Sequence, residues 1–171
     1  MDEFFDVYNS DGSWRGRFLR SECHGNPDLL HKSVHVVVFD SSGKKILLQK
    51  RSLTKDIQPG KWDTAVGGHV AAGESVEAAA CRELAEELGI NGTPEFFFTS
   101  EIRNNIESEL VTVFKLTSDG PFVFAPDEID EVKFFELAIF NEPSERLRSD
   151  FTPNLQKELL DIISLLNKDV N

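Results

Sequence analysis

Glu83, Glu86 and Glu87 lie within five consecutive residues, in the run Arg82-Glu83-Leu84-Ala85-Glu86-Glu87. At roughly 100° per residue, a helix gathers these three carboxylates into an arc of about 100°. Cys81, Leu84, Ala85 and Leu88 fall on the opposite side, which leaves one apolar face and one anionic face. Like charges at i,i+3 and i,i+4 each cost a helix about 0.2–0.5 kcal/mol, and a bound divalent cation removes that repulsion. Hard carboxylate oxygens suit Mg2+ or Mn2+, and Mg2+ typically takes one or two carboxylates together with the phosphates of a substrate. The chemistry open to such a face is metal-assisted attack on a phosphate. A solvated acidic helix would account for the charges alone, but not for Gly68, Glu74, Arg82 and Gly89 around them.

Gly68, Glu74, Arg82-Glu83-Leu84, Glu86-Glu87 and Gly89-Ile90 stand at fixed spacing across residues 68–90, nine fixed or class-restricted positions in all. The pattern resembles the Nudix box at every defining position, a far more specific match than a lone Gly-rich loop. The resemblance implies an α+β fold, the Nudix-type α/β/α sandwich with a mixed β-sheet, in which the box forms loop–helix–loop. It further implies that Glu86 and Glu87 bind divalent cations, with Glu83 completing the cluster and Gly68 offering its backbone carbonyl. Arg82 would orient the glutamates through a salt bridge, and Glu74 would be structural. The general base stays open among Glu87, Glu83 and Glu109.

Outside the box the chain is similar to the branch of this superfamily that includes isopentenyl-diphosphate isomerase. His24 and His31 precede the first core strand, His69 follows Gly67-Gly68, and Glu107 and Glu109 precede the strand at Leu110. In that branch this layout implies a second metal site, and imidazoles with carboxylates suit Mn2+, Zn2+ or Mg2+. Taken singly, each histidine is more often a core or surface residue than a ligand; all three at this spacing make the two readings about even. The segment Arg51-Ser-Leu-Thr-Lys55 with Pro59-Gly60-Lys61-Trp62 also resembles the branch, which implies a diphosphate held by Arg51, Lys55 and Lys61. The chain departs from the isomerase at Gly67, where that enzyme carries its reactive cysteine. Glycine can neither donate nor accept a side-chain proton, and it leaves room for a bulkier group beside the diphosphate. Cys81 is expected to be a buried thiol and no substitute. The expected function is therefore a metal-dependent pyrophosphohydrolase cleaving a nucleoside diphosphate derivative or nucleotide. The alternatives are an isomerase-like enzyme and a non-catalytic diphosphate-binding module.

The scaffold must place these groups together. A length of 171 residues suits one domain with a real core, expected over 1–171, with an N-terminal hairpin at about 1–22, the box at 68–90 and a C-terminal helix at about 151–167. Alternation around Asn9-Ser10-Asp11-Gly12 predicts the hairpin, and Ser33 to Asp40 reads as a central strand returning through Lys45 to Lys50. Trp62 to Val66 predicts a short strand running into a Gly67-Gly68 loop. Ser75 is a good N-cap and Gly89 a good C′ stop for the helix between them. Strands are expected at 95–100, 110–116 and 131–135. Leu155, Leu159, Leu160, Ile163 and Leu166 repeat at helical spacing.

The formal net charge of -12 argues against a nucleic-acid partner, although bound metal can reverse the local field. No apolar run approaches the roughly 20 residues that span a bilayer, so no membrane partner is expected. An acidic N-terminus without a signal peptide and only two cysteines point to a cytoplasmic location. The expected partners are a small-molecule diphosphate substrate and, as an alternative to a monomer, a second copy in a homodimer.

Overall fold

Ten residues rich in valine, Leu30–Phe39, form the strand around which the fold is built. This is β3 of the computed structural model, which describes residues 2–168. Before it come β1 (Phe4–Tyr8), β2 (Trp14–Leu19) and the one-turn helix α1 (Arg20–Cys23); after it come β4 (Lys45–Arg51), β5 (Trp62–Thr64) and β6 (Val66–His69). The helix α2 (Val76–Leu88) is followed by β7 (Glu95–Arg103), β8 (Ser108–Thr117) and β9 (Ile129–Glu136). A 3-10 turn (Leu137–Asn141), α3 (Pro143–Arg146) and α4 (Pro153–Lys168) complete the described chain. Among the described residues no helix is long and apolar enough to cross a membrane.

β3 pairs in parallel with β8 along its whole length, from Leu30↔Ser108 to Phe39↔Thr117, and antiparallel with β6, from Ser33↔His69 to Val36↔Val66. The sheet is therefore mixed. Alternation along β3 sends Val34, Val36 and Val38 to one face, where they pack with Leu84 and Leu88 of α2. Val37 and Phe39 face the other way, onto Leu155, Leu159 and Ile162 of α4. Two helices thus cover opposite faces of one sheet, as the resemblance to the α/β/α sandwich implies.

The sheet also opens. β3 and β4 pair only at Val38↔Leu47 and Phe39↔Ile46. Beyond that point β4 pairs with β5 instead, from Leu48↔Thr64 to Lys50↔Trp62. At the buried Ala65 the chain leaves β4 and joins β3 as β6. A cleft opens where the two halves diverge.

Gly67 and Gly68, expected in a loop, lie instead in β6, because the backbone groups of β3 need a partner there. β3 begins at Leu30, earlier than the valine run suggests. α2 keeps both of its expected ends. The Ser75 hydroxyl accepts the Ala78 N–H at 3.1 Å, and Gly89 takes the left-handed conformation at φ 66°. Cys81 corrects an expectation: the buried side chains of α2 are Ala79, Ala80, Leu84 and Leu88, and Cys81 is only partly covered. The N-terminal hairpin pairs β1 with β2 from Phe4↔Leu19 and touches β3 at Val7↔His31 and Tyr8↔Leu30. Its Phe5 and Val7 pack with Cys23 and Leu29 in a third, small cluster.

α4 buries Leu155, Glu158, Leu159, Ile162 and Ile163, while Leu160, which the helical spacing placed with them, is 45% exposed. Leu159→Ala should therefore cost about 2–5 kcal/mol, and Leu160→Ala should stay within about 0.5 kcal/mol of the unmodified protein. Urea unfolding of the two variants measures this, and equal losses would contradict the packing of α4.

Candidate active site

The cleft between the diverging strands is a cavity of about 580 Å3. β3 supplies Ser33 and His35 to its wall, β4 supplies Gln49 and Arg51, β5 supplies Asp63 and Thr64, and β6 supplies Gly67, Gly68 and His69. Glu83 and Glu87 reach it from α2, Glu107 and Glu109 from the start of β8, and Thr152 and Asn154 from the start of α4. The carboxylate cluster and the histidine cluster are two ends of one space.

At the carboxylate end, Glu87 Oε2 accepts hydrogen bonds from Gln49 Nε2 at 3.0 Å and from the Gly67 backbone N–H at 3.3 Å. Burial, reinforced by the charge of Glu83, pushes the Glu87 carboxyl up to about 8. Burial raises Glu83 as well, against the opposing pull of Arg82. Two desolvated carboxyls side by side form a site that a divalent cation would relieve of its repulsion. Gly68 is required beneath them, since a Cβ there would lie 2.0 Å from Glu83 Cδ.

Arg82 organises this end. Its Nε and Nη2 each donate to Glu74 at 2.9 Å. Nη1 donates to Glu83 at 2.7 Å and to Glu86 at 3.2 Å, and Nη2 also reaches the His69 carbonyl at 3.0 Å. Glu74 in turn accepts the Ala71 N–H at 3.0 Å, so it pins the loop between β6 and α2. Glu86 stands apart from its neighbours: its side chain is 59% exposed and lies outside the cavity wall.

At the other end, ligand atoms of His24, His31 and His69 all lie within 4.8 Å of one another. His31 Nδ1 donates to the Leu29 carbonyl at 3.0 Å, which leaves the Nε2 lone pair free. The Nε2 atoms of His24 and His31 are buried without a hydrogen-bond partner. Glu109 Oε1 completes the group, 3.2 Å from His69 Nε2 and 3.7 Å from His31 Nε2. Burial and the neighbouring charges of His69 and Arg20 lower His24 to about 4, and burial lowers His31 too. Neutral imidazoles with orphaned nitrogens are what a cation site needs. Burial would raise Glu109, but the hydrogen bond and charge of His69, together with Ser33 and the charge of His31, outweigh it and hold the carboxyl down to about 2. Burial and the charge of Glu109 raise Glu107.

Arg51 and Lys55 line the cavity as expected, whereas Lys61 does not. Arg51 donates to Asp63 at 3.4 Å and to the Ile57 carbonyl at 3.0 Å, and Lys55 pairs with Glu128. Several site residues escaped the sequence analysis. Phe5 stacks on His31 and His69 with ring centroids 5.0 and 4.9 Å away, so the hairpin orients the imidazoles. Gln49 and Asp63 face each other across β4 and β5. His35, four residues after His31 on the same strand face, was visible as a period-two repeat. The space beside Gly67 is not vacant either, because a Cβ there would meet His35 Cδ2 at 3.3 Å.

Residues 29–155 match the NUDIX domain family. An uncharacterized Nudix hydrolase of Yersinia pestis is 40% identical over 161 residues, covering 92% of this chain and 84% of that protein. Among solved structures, the MutT protein of Methanosarcina mazei shares the fold with a TM-score of 0.68 and 21% identity, over 84% of this chain and 97% of that one. The NUDIX domain of Shewanella oneidensis NrtR, solved with ADP ribose, has a TM-score of 0.59 and 19% identity, over 79% of this chain and 87% of that one. With its box intact around Glu83 and Glu87, this chain belongs to the NUDIX domain family, as a Nudix hydrolase acting on phosphoric anhydride bonds.

Proposed function

We propose that this hydrolase is a Mg2+- or Mn2+-dependent pyrophosphohydrolase that cleaves a small nucleoside diphosphate derivative. The observation that carries the reading is the pair Glu83 and Glu87 at the base of the cavity, with Glu87 aimed by Gln49 and the Gly67 N–H. A bound divalent cation would neutralise charge on the diphosphate and activate water for attack. Arg82 holds Glu83 in place and Glu86 adds an outer carboxylate, and the Gly68 carbonyl would complete the set of oxygens. Arg51 and Lys55 supply positive charge to the opposite wall. The ADP ribose held by the NrtR domain supports a nucleoside diphosphate as the kind of ligand this cavity takes. His24, His31, His69, Glu107 and Glu109 form a second candidate cation site, supported by the orphaned Nε2 atoms. The hairpin, the box and α4 all shape one cavity, which supports reading 1–171 as a single Nudix hydrolase domain.

Turnover of nucleoside diphosphate derivatives with Mg2+ or Mn2+ tests this directly. Glu87→Gln keeps size and helix propensity but removes the charge, and it should lower kcat by about a hundredfold or more. Glu86→Gln, exposed and outside the cavity wall, should lose less. Near-normal turnover in Glu87→Gln would remove this carboxylate from the chemistry.

A pH dependence follows from the raised Glu87 carboxyl. Without metal, the folded protein keeps a proton on Glu87 that the unfolded chain releases near the ordinary value of 4.5. The folded state then binds more protons, so stability falls as pH rises. The contribution is complete below about 4.5 and is lost as pH climbs through about 8. Thermal midpoints measured with EDTA should therefore decline over this window. The decline should be shallower in Glu87→Gln and reversed by added Mg2+ in the unmodified protein. Parallel profiles for the two proteins would contradict the burial of this carboxyl.

A further inference from the structure

The hydrolytic reading uses the carboxylates and leaves His35 unexplained. His35 sits on β3 opposite Gly67 in register, in the cavity wall, with its Nδ1 only 2.5 Å from Glu158 Oε2. Glu158 belongs to the apolar face of α4 and is 6% exposed. A carboxylate placed there is strongly unfavourable unless it is paired, and His35 Nδ1 is the partner that Glu158 Oε2 finds. That bond fixes the ring and turns its other edge to the cavity. Nε2 makes no hydrogen bond among the described residues.

We propose that His35, locked by Glu158, is a substrate-binding residue whose Nε2–H donates to a phosphate oxygen of the substrate's diphosphate. The inference rests on the hydrolytic reading of the same cavity. Three further observations carry it. First, the imidazole edge lies against Gly67: a Cβ at that position would meet His35 Cδ2 at 3.3 Å and Nε2 at 3.5 Å. Glycine is thus the residue that lets the ring approach the strand. Secondly, the N–H of that same Gly67 holds Glu87 at 3.3 Å, so one residue separates the imidazole from the carboxylate end, where a diphosphate would be drawn. Thirdly, the other cations of the wall are engaged. Arg51 bonds Asp63 and the Ile57 carbonyl, Lys55 pairs with Glu128, and Arg20 pairs with Glu3. Although burial opposes it, the charge of Glu158 lifts His35 to about 9, which agrees with a ring that donates from both nitrogens.

The test is calorimetric binding of two uncleavable probes, methylenediphosphonate and α,β-methylene-ADP, with saturating Mg2+. The double variant His35→Gln with Glu158→Gln removes both charges without stranding a buried carboxylate. If it fails to fold, His35→Phe with Glu158→Leu provides the same comparison with apolar groups. Both probes should bind about ten- to a hundredfold more weakly, with KM raised more than kcat is lowered. The affinity for Mg2+ alone should not change. Unchanged affinity for both probes in a folded variant would overturn the proposal and leave the hydrolytic reading intact. Weakening of α,β-methylene-ADP alone would move the contact to the nucleoside and overturn the phosphate assignment. Failure of the unmodified protein to bind or cleave any diphosphate would overturn both readings together.

Discussion

The backbone groups along β3 must all find partners, and the site follows from how one of its edges is divided among several strands. One edge is occupied throughout by β8 in parallel register. The other edge is shared: β1 takes Leu30 and His31, β6 takes Ser33 to Val36, and β4 takes only Val38 and Phe39. Backbone groups buried on both faces cannot be left unpaired without a cost of roughly 1–3 kcal/mol each. The chain therefore crosses from β4 to β3 at Ala65. That crossing parts the sheet, and the parted sheet is the cavity. Polar side chains at Ser33, His35, Gln49 and Asp63 would be costly within a closed sandwich core; here they line the cleft.

Arg82 ties the two ends of that cavity. Its guanidinium spans Glu74, Glu83, Glu86 and the His69 carbonyl. A planar group with five donors can hold a bidentate carboxylate and still reach three other partners, which lysine cannot do. The carboxylates of α2 and the backbone of β6 thus share one anchor. The carbonyl of His69, one residue beyond Gly68, and the carboxylate of Glu83 are thus held by the same guanidinium.

The electrostatic character of the cavity resolves the apparent mismatch between a chain of net charge -12 and an anionic substrate. The anionic groups gather at two places where cations can sit, Glu83 with Glu87 and Glu107 with Glu109, and burial pushes Glu87 and Glu107 towards the neutral form. Arg51, Lys55 and His35 stand on the remaining wall, each paired with a carboxylate. Bulk charge therefore says little about the local field at the site.

Much of this was legible from residue order, wherever the relevant physics is local. Ser75 and Gly89 bound α2 because capping involves groups within a turn of each other. Glu83, Glu86 and Glu87 share a face by helical geometry, and the box identifies the family. Even so, helical spacing could not tell the exposed Glu86 from the enclosed Glu87, because that difference is made by Gln49 and Gly67. Likewise it counted Leu160 among the core residues and overlooked Glu158. Phe5, His35 and Asp63 entered the site through partners 26, 123 and 89 residues away, namely His31, Glu158 and Thr152. Sequence alone determined the helix, its carboxylates and the family. Only tertiary structure decided which carboxylates are desolvated, which histidines converge and which side chain lies against Gly67, because burial and long-range pairing belong to the packed sheet and not to any segment of it.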